Sequence, residues 1–127
     1  MKILCADDNE SIGELYRRIL TKLGHEVHTV ANGQAAWDLL AADLGAFDLV
    51  ILDYRMPGLN GLEVVIKLRR AGYPGRVVVQ SGFLTPEVES ALKSLNVDRI
   101  IQKPVSLGTV VDVVSETADR AAKRIRP

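Results

Sequence analysis

The sequence LVILDYRMPG at residues 49–58 passes from four consecutive apolar residues directly into an acid and a turn. A short, uninterrupted apolar run with β-branched residues is typical of a strand buried on both faces of a parallel sheet. The proline and glycine at positions 57 and 58 then end this strand. Asp53 therefore stands at the carboxyl end of a buried strand. A charged residue rarely stabilises the fold at such a position, so a chemical role explains it better.

Polar groups also follow three other short, mostly apolar runs. Asp7 and Asp8 follow residues 3–6, Ser81 follows residues 77–80, and Lys103 follows residues 100–102. The carboxyl ends of parallel strands meet at one edge of a sheet, which is where such proteins bind their ligands. We expect two acids, a hydroxyl and an amine to lie near Asp53 at this edge.

Longer stretches between these runs repeat apolar residues at spacings of three and four, which predicts amphipathic helices. Strands that alternate with helices form a parallel sheet covered on both faces, so we expect an α/β protein with an open, doubly wound sheet. Residues 26–30 instead alternate polar and apolar side chains, which is typical of a half-exposed edge strand. In the first predicted helix one stripe is expected to face the sheet: Ile12, Leu15, Tyr16, Ile19 and Leu23.

The composition limits the partners of the protein. Its 127 residues suit one domain, and sixteen acidic and sixteen basic residues cancel to a net charge of zero. This balance lacks the positive charge of nucleic-acid and anionic-lipid binders, so we expect neither nucleic acid nor membrane as a partner. The single cysteine, Cys5, excludes a disulfide within the chain. No signal-peptide pattern and no run of about 18 apolar residues occurs, which predicts a cytoplasmic protein.

Asp7, Asp8 and Asp53 are predicted to form a Mg²⁺ site. Three carboxylates held close together repel each other unless a cation is present, and Mg²⁺ prefers oxygen ligands that it shares with phosphate groups. For residues 7–9 alone, a turn and helix cap is an equally good interpretation. Lys103 and Ser81 favour the chemical interpretation, because an ammonium and a hydroxyl complete the groups needed for phosphoryl transfer to a carboxylate.

Four motifs occur in order, each at the end of a predicted strand. They are the acidic pair at residues 7–8, the pattern DxxMPGxxG at residues 53–61, the pair Ser81-Gly82, and the pair Lys103-Pro104. On these motifs the chain resembles the receiver domain of two-component response regulators, in a single-domain form similar to chemotaxis regulators. The resemblance covers essentially all 127 residues. It implies a flavodoxin-like (βα)5 sandwich with strand order 2-1-3-4-5, formed by residues 1–127 as one receiver domain.

The resemblance also implies a role for each motif. Asp53 would accept a phosphoryl group from the histidine of a sensor kinase. Asp8, Asp53 and the main-chain carbonyl of Arg55 would hold Mg²⁺, and Asp7 would act mostly through bound water.

The remaining motifs would bind the transferred group. Ser81 and Lys103 would hold the phosphoryl oxygens, and Gly82 would leave room for their approach. The Lys103–Pro104 peptide bond would be cis.

Three positions differ from the family pattern or vary within it. Ile100 stands three residues before the lysine, where the family usually has an aromatic residue that swings inward on activation. Phe83 and Arg55 occupy positions that tune the lifetime of the phosphorylated state in the family. We therefore expect the loop from Ser81 to Thr85, rather than Ile100, to carry the signal.

We interpret the chain as a phosphorylation-dependent switch that signals by binding a downstream effector protein. It would catalyse only its own phosphorylation and dephosphorylation, with a phosphorylation-dependent dimer as one option. Two alternatives remain open, a phosphorelay intermediate that passes phosphate to a histidine phosphotransfer protein and a phosphorylation-independent interaction module. Met1 and a helix predicted to end near Pro127 favour a complete chain over an excised domain.

Two other enzyme or carrier classes fit less well. A phosphatase of the haloacid-dehalogenase type needs a second aspartate two residues after the first, and Arg55 stands there instead. A flavodoxin-like flavin carrier needs a hydroxyl- and glycine-rich phosphate loop after the first strand, where the carboxylates of Asp7 and Asp8 would repel that phosphate.

Overall fold

The computed structural model describes the backbone of residues 1–125 and the side chains of residues 1–119. Strands and helices alternate along this part of the chain, as predicted. The elements are β1 (Lys2–Ala6), α1 (Glu10–Lys22), β2 (Glu26–Val30), α2 (Gly33–Ala42), β3 (Leu49–Asp53), α3 (Gly61–Ala71), β4 (Arg76–Ser81), α4 (Pro86–Ser94), β5 (Arg99–Gln102) and α5 (Leu107–Ile125).

The strands form one parallel sheet in the order β2-β1-β3-β4-β5, which confirms the predicted topology. The half-exposed β2 lies at the edge, as its alternating sequence indicates. The chain leaves β1 towards β2 on one side, whereas β3 pairs with β1 on the other side. This reversal of direction opens a crevice beyond the carboxyl ends of β1 and β3, where doubly wound proteins bind their ligands.

Two apolar layers enclose the sheet. Along β1 the side chains alternate, so that Leu4 faces the layer formed with α2, α3 and α4, whereas Ile3 and Cys5 face the layer formed with α1 and α5. The central strand β3 is buried along its whole length. Burial on both faces explains its uninterrupted apolar sequence.

The buried face of α1 differs from the predicted stripe. Leu15 and Leu23 are 42% and 51% exposed, and the buried residues of the helix are Gly13, Tyr16 and Leu20. A Cβ atom on Gly13 would lie 3.8 Å from the Thr29 side chain, so the helix approaches the sheet along its small residue. Leu15 therefore lies on the flank of the contact, and Leu23 lies beyond the helix at its C-cap.

The turn after β3 is packed tightly against the start of α3. A Cβ atom on Gly61 would lie 2.8 Å from the main-chain oxygen of Asp53, and the Gly61 amide donates to the Tyr54 carbonyl at 2.8 Å. Asn60 caps the helix in a reciprocal capping box with Glu63. These contacts leave little freedom in the backbone that carries Asp53.

Within residues 1–125, no helix combines the length and the apolar character that a membrane-spanning segment requires.

Candidate functional site

Three acids meet at the carboxyl edge of the central strands. Asp7 directly follows β1 and Asp53 ends β3, and both are buried, whereas Asp8 is exposed. One carboxylate oxygen from each acid lies within 4.8 Å of the others. An all-oxygen donor set of this size fits Mg²⁺, which needs few protein ligands because it keeps several waters.

Lys103 lies directly against two of these acids. Its Nζ atom is 3.1 Å from Asp7 Oδ2 and 3.1 Å from Asp53 Oδ2. The Lys103 main-chain amide donates to the Ser81 carbonyl at 2.7 Å, which fixes the start of the loop after β5 to the end of β4. The Lys103–Pro104 peptide bond is cis. The ammonium group thus offsets part of the negative charge at this edge.

The acids and the amine shift one another's protonation. Burial raises the pKa of Asp53 above its usual value; the hydrogen bond from Lys103 opposes this shift, and the charges of Asp7 and Asp8 add to it. Burial alone would lower the pKa of Lys103, but its contacts with Asp53 and Asp7 outweigh burial and the net shift is upward. Lys103 is therefore a firmly charged partner for anions at this site.

Ser81 ends β4 at the same edge, but its hydroxyl group is occupied within its own loop. Ser81 Oγ donates to the main-chain oxygen of Phe83 at 2.8 Å and accepts from the Phe83 amide at 3.2 Å. Gly82 is exposed, and a Cβ atom built on it would have no heavy atom within 4 Å. Space is therefore available beside Ser81.

The three positions that differ from the family pattern or vary within it lie further from the acidic cluster. Arg55 is exposed in the turn after β3. Ile100 is half-buried on β5 and lines a cavity of about 440 Å³, together with Ser81, Leu84 and Val97. The Phe83 side chain, on the neighbouring loop, is 66% exposed.

Sequence reasoning missed Gln80 as a neighbour of the site. This residue is 1% exposed, and its Nε2 atom donates to Asp7 Oδ2 at 3.3 Å. Its Oε1 atom accepts from the Tyr16 hydroxyl at 3.0 Å. The available signal was an amide inside the run VVVQ at residues 77–80, because a buried amide needs hydrogen-bond partners.

The Tyr16 hydroxyl is a stable donor. Burial raises the pKa of Tyr16 to about 12, and the Asp7 carboxylate adds to the shift. The phenol therefore keeps its proton at neutral pH. The sequence predicts Tyr16 as part of the apolar stripe of the first helix, and its hydroxyl group adds a polar contact to that packing role.

The structure agrees with both interpretations of residues 7–9, a turn with a helix cap and part of an acidic cluster. The Asn9 side chain caps α1 by accepting from the amides of Ser11 and Ile12, while the Asn9 amide donates to Asp7 Oδ1 at 2.9 Å. Capping and the acidic cluster thus coexist. Both oxygens of Asp7 already accept hydrogen bonds from the protein, whereas Asp8 is exposed to solvent.

This fold, with an acidic cluster and a lysine at its carboxyl edge, defines a known class of signalling domain. A sequence model of the response regulator receiver domain matches residues 3–115. The chain therefore belongs to the response regulator receiver domain family, the phosphorylation-dependent switches of two-component signalling. Phospho-aspartate and Mg²⁺ at an acidic cluster are general features of this family.

Longer regulatory proteins contain similar sequences. The chain is 34% identical over 122 residues to the sensory/regulatory protein RpfC of Xanthomonas campestris, which covers 93% of the chain and 16% of that protein. It is 36% identical over 109 residues to the transcriptional regulatory protein TctD of Salmonella typhimurium, which covers 84% of the chain and 47% of that protein. The chain thus spans less than half the length of these relatives.

Solved receiver domains share the architecture. A signal receiver domain from Vibrio parahaemolyticus superimposes with a TM-score of 0.88 at 19% identity, over 97% of this chain and 93% of that one, which shows the fold alone. The response regulator TrrA of Thermotoga maritima, in complex with Mg²⁺-BeF, gives a TM-score of 0.77 at 30% identity. That match covers 91% of this chain and 97% of TrrA.

Proposed function

We propose that this chain is a signalling switch in which Asp53 accepts a phosphoryl group from a sensor histidine kinase in the presence of Mg²⁺. The observation that carries the proposal is the convergence of Asp53, two further acids and Lys103 at one edge of the sheet. Asp53 is the buried acid that ends the central strand β3. Its position and its contact with Lys103 suit a phosphoryl acceptor.

Asp8, Asp53 and the main-chain carbonyl of Arg55 would hold the Mg²⁺ ion, and Asp7 would act through bound water. The exposure of Asp8 and the hydrogen bonds already made by both Asp7 oxygens support this division of roles. When bound, Mg²⁺ offsets the negative charge that the carboxylates and the phosphoryl oxygens place together.

The chemistry proceeds on the chain's own side chain. An Asp53 carboxylate oxygen attacks the phosphorus of the kinase phosphohistidine, an oxygen–phosphorus bond forms, and the phosphorus–nitrogen bond breaks with its electron pair left on the imidazole. Hydrolysis reverses the modification: water attacks the phosphorus, inorganic phosphate leaves, and the Asp53 carboxylate is restored. The chain would thus turn over no external substrate.

Lys103 and Ser81 would hold the transferred group. Lys103 Nζ already contacts an oxygen of the Asp53 carboxylate, to which the phosphoryl group would be attached. Ser81 ends the neighbouring strand β4. The open space at Gly82 would admit the phosphoryl oxygens. An ammonium and a hydroxyl donor stabilise the charge of the group without a further catalytic residue.

Signalling would occur through protein contacts. Residues 1–127 would act as one receiver unit, with a sensor histidine kinase as the source of phosphate and an effector protein that distinguishes the two states. The relatives RpfC and TctD are regulatory proteins that contain such a domain within longer chains. Retention of Asp8, Asp53, Ser81 and Lys103 argues against a phosphorylation-independent interaction module.

Intact-mass measurement after incubation with Mg²⁺ and acetyl phosphate tests the proposal. The wild type should gain the mass of one phosphoryl group, and Asp53→Asn should gain none. Asp48→Asn is the matched control, because Asp48 is an exposed acid at the opposite end of the same strand. This control should be modified like the wild type. An adduct that persists in Asp53→Asn would disprove the assignment.

A further inference from the structure

A buried series of hydrogen bonds connects α1 to the acidic cluster. The Tyr16 hydroxyl on α1 donates to Gln80 Oε1 at 3.0 Å, and Gln80 Nε2 on β4 donates to Asp7 Oδ2 at 3.3 Å. All three side chains are buried. The two contacts join residues 64 and 73 positions apart, so they are tertiary contacts.

The Tyr16 hydroxyl determines the orientation of the Gln80 side-chain amide. The phenol donates to the carbonyl end of the Gln80 amide, which leaves the amide NH₂ group directed at the Asp7 carboxylate. A flipped amide would place its carbonyl oxygen against that carboxylate, with two acceptors facing each other. Among the residues whose side chains the structure describes, every buried polar atom has a partner, so this arrangement is complete.

Gln80 is also held in place by the sheet. It pairs with Asp53 in the register of β3 and β4, and its main-chain oxygen accepts from the Tyr54 amide at 2.8 Å. The side chain thus reaches Asp7 from a fixed point beside the proposed phosphorylation site. A donor on a rigid strand orients its acceptor better than one on a mobile loop.

Lys103 shares the same oxygen of Asp7 at 3.1 Å. In the proposed function this ammonium group also binds the phosphoryl oxygens, so its contact with Asp7 changes during the phosphorylation cycle. The contact from Gln80 does not involve the phosphoryl group. Asp7 therefore retains one buried donor throughout the cycle.

We propose that Gln80 and Tyr16 are positioning residues that hold the Asp7 carboxylate in the orientation required for Mg²⁺ binding. This inference rests on the proposed function, because it concerns the metal site described there. Residues that orient metal-binding groups by hydrogen bonds typically change metal affinity by 10- to 100-fold when they are replaced. Without the pair, Asp7 would keep only the Asn9 amide on Oδ1 and Lys103 on Oδ2, so its carboxylate would be held less firmly before the metal binds.

Calorimetric titration with Mg²⁺ alone tests the inference. Gln80→Met keeps the length of the side chain but removes both polar atoms. It should raise the Mg²⁺ dissociation constant by about threefold to tenfold, below most of that range because Asp7 acts through bound water. Tyr16→Phe removes only the hydroxyl that directs the Gln80 amide, and it should raise the constant by a smaller factor.

Tyr73→Phe is the matched control for the loss of a buried phenol. The Tyr73 hydroxyl donates to the Phe47 carbonyl at 2.8 Å, remote from the acidic cluster in the hydrogen-bond network. This variant should lose stability in urea unfolding without Mg²⁺, yet bind Mg²⁺ like the wild type. A purely structural role of Gln80 and Tyr16 would likewise change unfolding alone.

The possible outcomes separate the two proposals. Wild-type affinity in Gln80→Met overturns the inference and leaves the proposed function intact. Absence of Mg²⁺ binding by the wild type overturns both. Should Gln80→Met fail to fold, Tyr16→Phe decides, because an unchanged dissociation constant in that variant also overturns the inference.

Discussion

Ser81 Oγ donates its only proton to the main-chain oxygen of Phe83, 2.8 Å away. A phosphoryl oxygen that accepts a hydrogen bond from the Ser81 hydroxyl would replace the Phe83 carbonyl as its acceptor, and that carbonyl would lose its donor. The hydroxyl proposed to bind the phosphoryl group therefore also maintains the conformation of the loop leading to α4.

Phosphorylation should consequently move the loop rather than Ile100. We expect large amide chemical-shift changes at Gly82, Phe83 and Leu84 and at the exposed surface of α4, while Ile100 keeps its rotamer. Isoleucine has no large ring or polar end to exchange between solvent and the cavity it lines. Asp53→Asn, treated identically, is the control. A strong change at Ile100 with an unaltered loop would contradict this prediction.

Replacing Lys103 by methionine should destabilise the metal-free protein by about 1–3 kcal/mol, because Asp7 and Asp53 lose their shared cation. Mg²⁺ should then stabilise the variant more than the wild type, since it supplies the missing positive charge. Urea unfolding with and without Mg²⁺ measures both effects. Lys93→Met, which removes an exposed pair with Glu89, should change little. Equal Mg²⁺ stabilisation of Lys103→Met and wild type would argue against a shared charge site.

Mg²⁺ should raise the free energy of unfolding of the wild type by about 1–3 kcal/mol when its concentration is well above the dissociation constant. The cause is relief of repulsion among Asp7, Asp8 and Asp53. Asp8→Ala should remove most of this gain, whereas Asp38→Ala, an exposed acid on α2, should retain it. Thermal unfolding is a suitable measurement. An unchanged melting temperature in millimolar Mg²⁺ would speak against a metal site.

The rate at which a reagent modifies the Cys5 thiol should also measure the stabilisation by Mg²⁺. Burial raises the pKa of Cys5 to about 12, and the Asp7 carboxylate adds to the shift. Since the thiol is buried in β1, a thiol reagent should modify it only after the protein opens, and more slowly with Mg²⁺. We expect roughly tenfold slower modification for each 1.4 kcal/mol of stabilisation, if global unfolding exposes it. Modification at the rate of an unfolded control would refute this protection.

The sequence predicted the fold well because its main signals are local. The apolar run that ends at Asp53 and the alternation at residues 26–30 indicate a central and an edge strand without reference to the rest of the chain. The same logic placed Asp7 and Lys103 at one edge, since parallel strands share their direction. The distance of 3.1 Å between Asp7 Oδ2 and Lys103 Nζ could not be predicted from the sequence pattern.

The parts that escaped prediction depend on tertiary geometry. Tyr16 and Gln80 lie in different elements, and the periodicity of either element carries no information about their contact. The exposed Leu15 shows a similar limit. Helical spacing defines an apolar stripe, but it does not say which side of the stripe packs against the sheet, which here is the side of Gly13, Tyr16 and Leu20. The hydrogen bond of Ser81 to its own loop likewise leaves no trace in composition.

The contact between Lys103 and Asp7 joins positions 96 residues apart. The acids come from the ends of β1 and β3, but the ammonium group arrives only with the end of β5. A growing polypeptide that has emerged from the ribosome as far as α3 already contains Asp53, the proposed acceptor, yet it lacks the cation that the acids share. The proposed phosphoryl-accepting site is therefore completed only when β5 has been synthesised, and shorter chains would lack its cation.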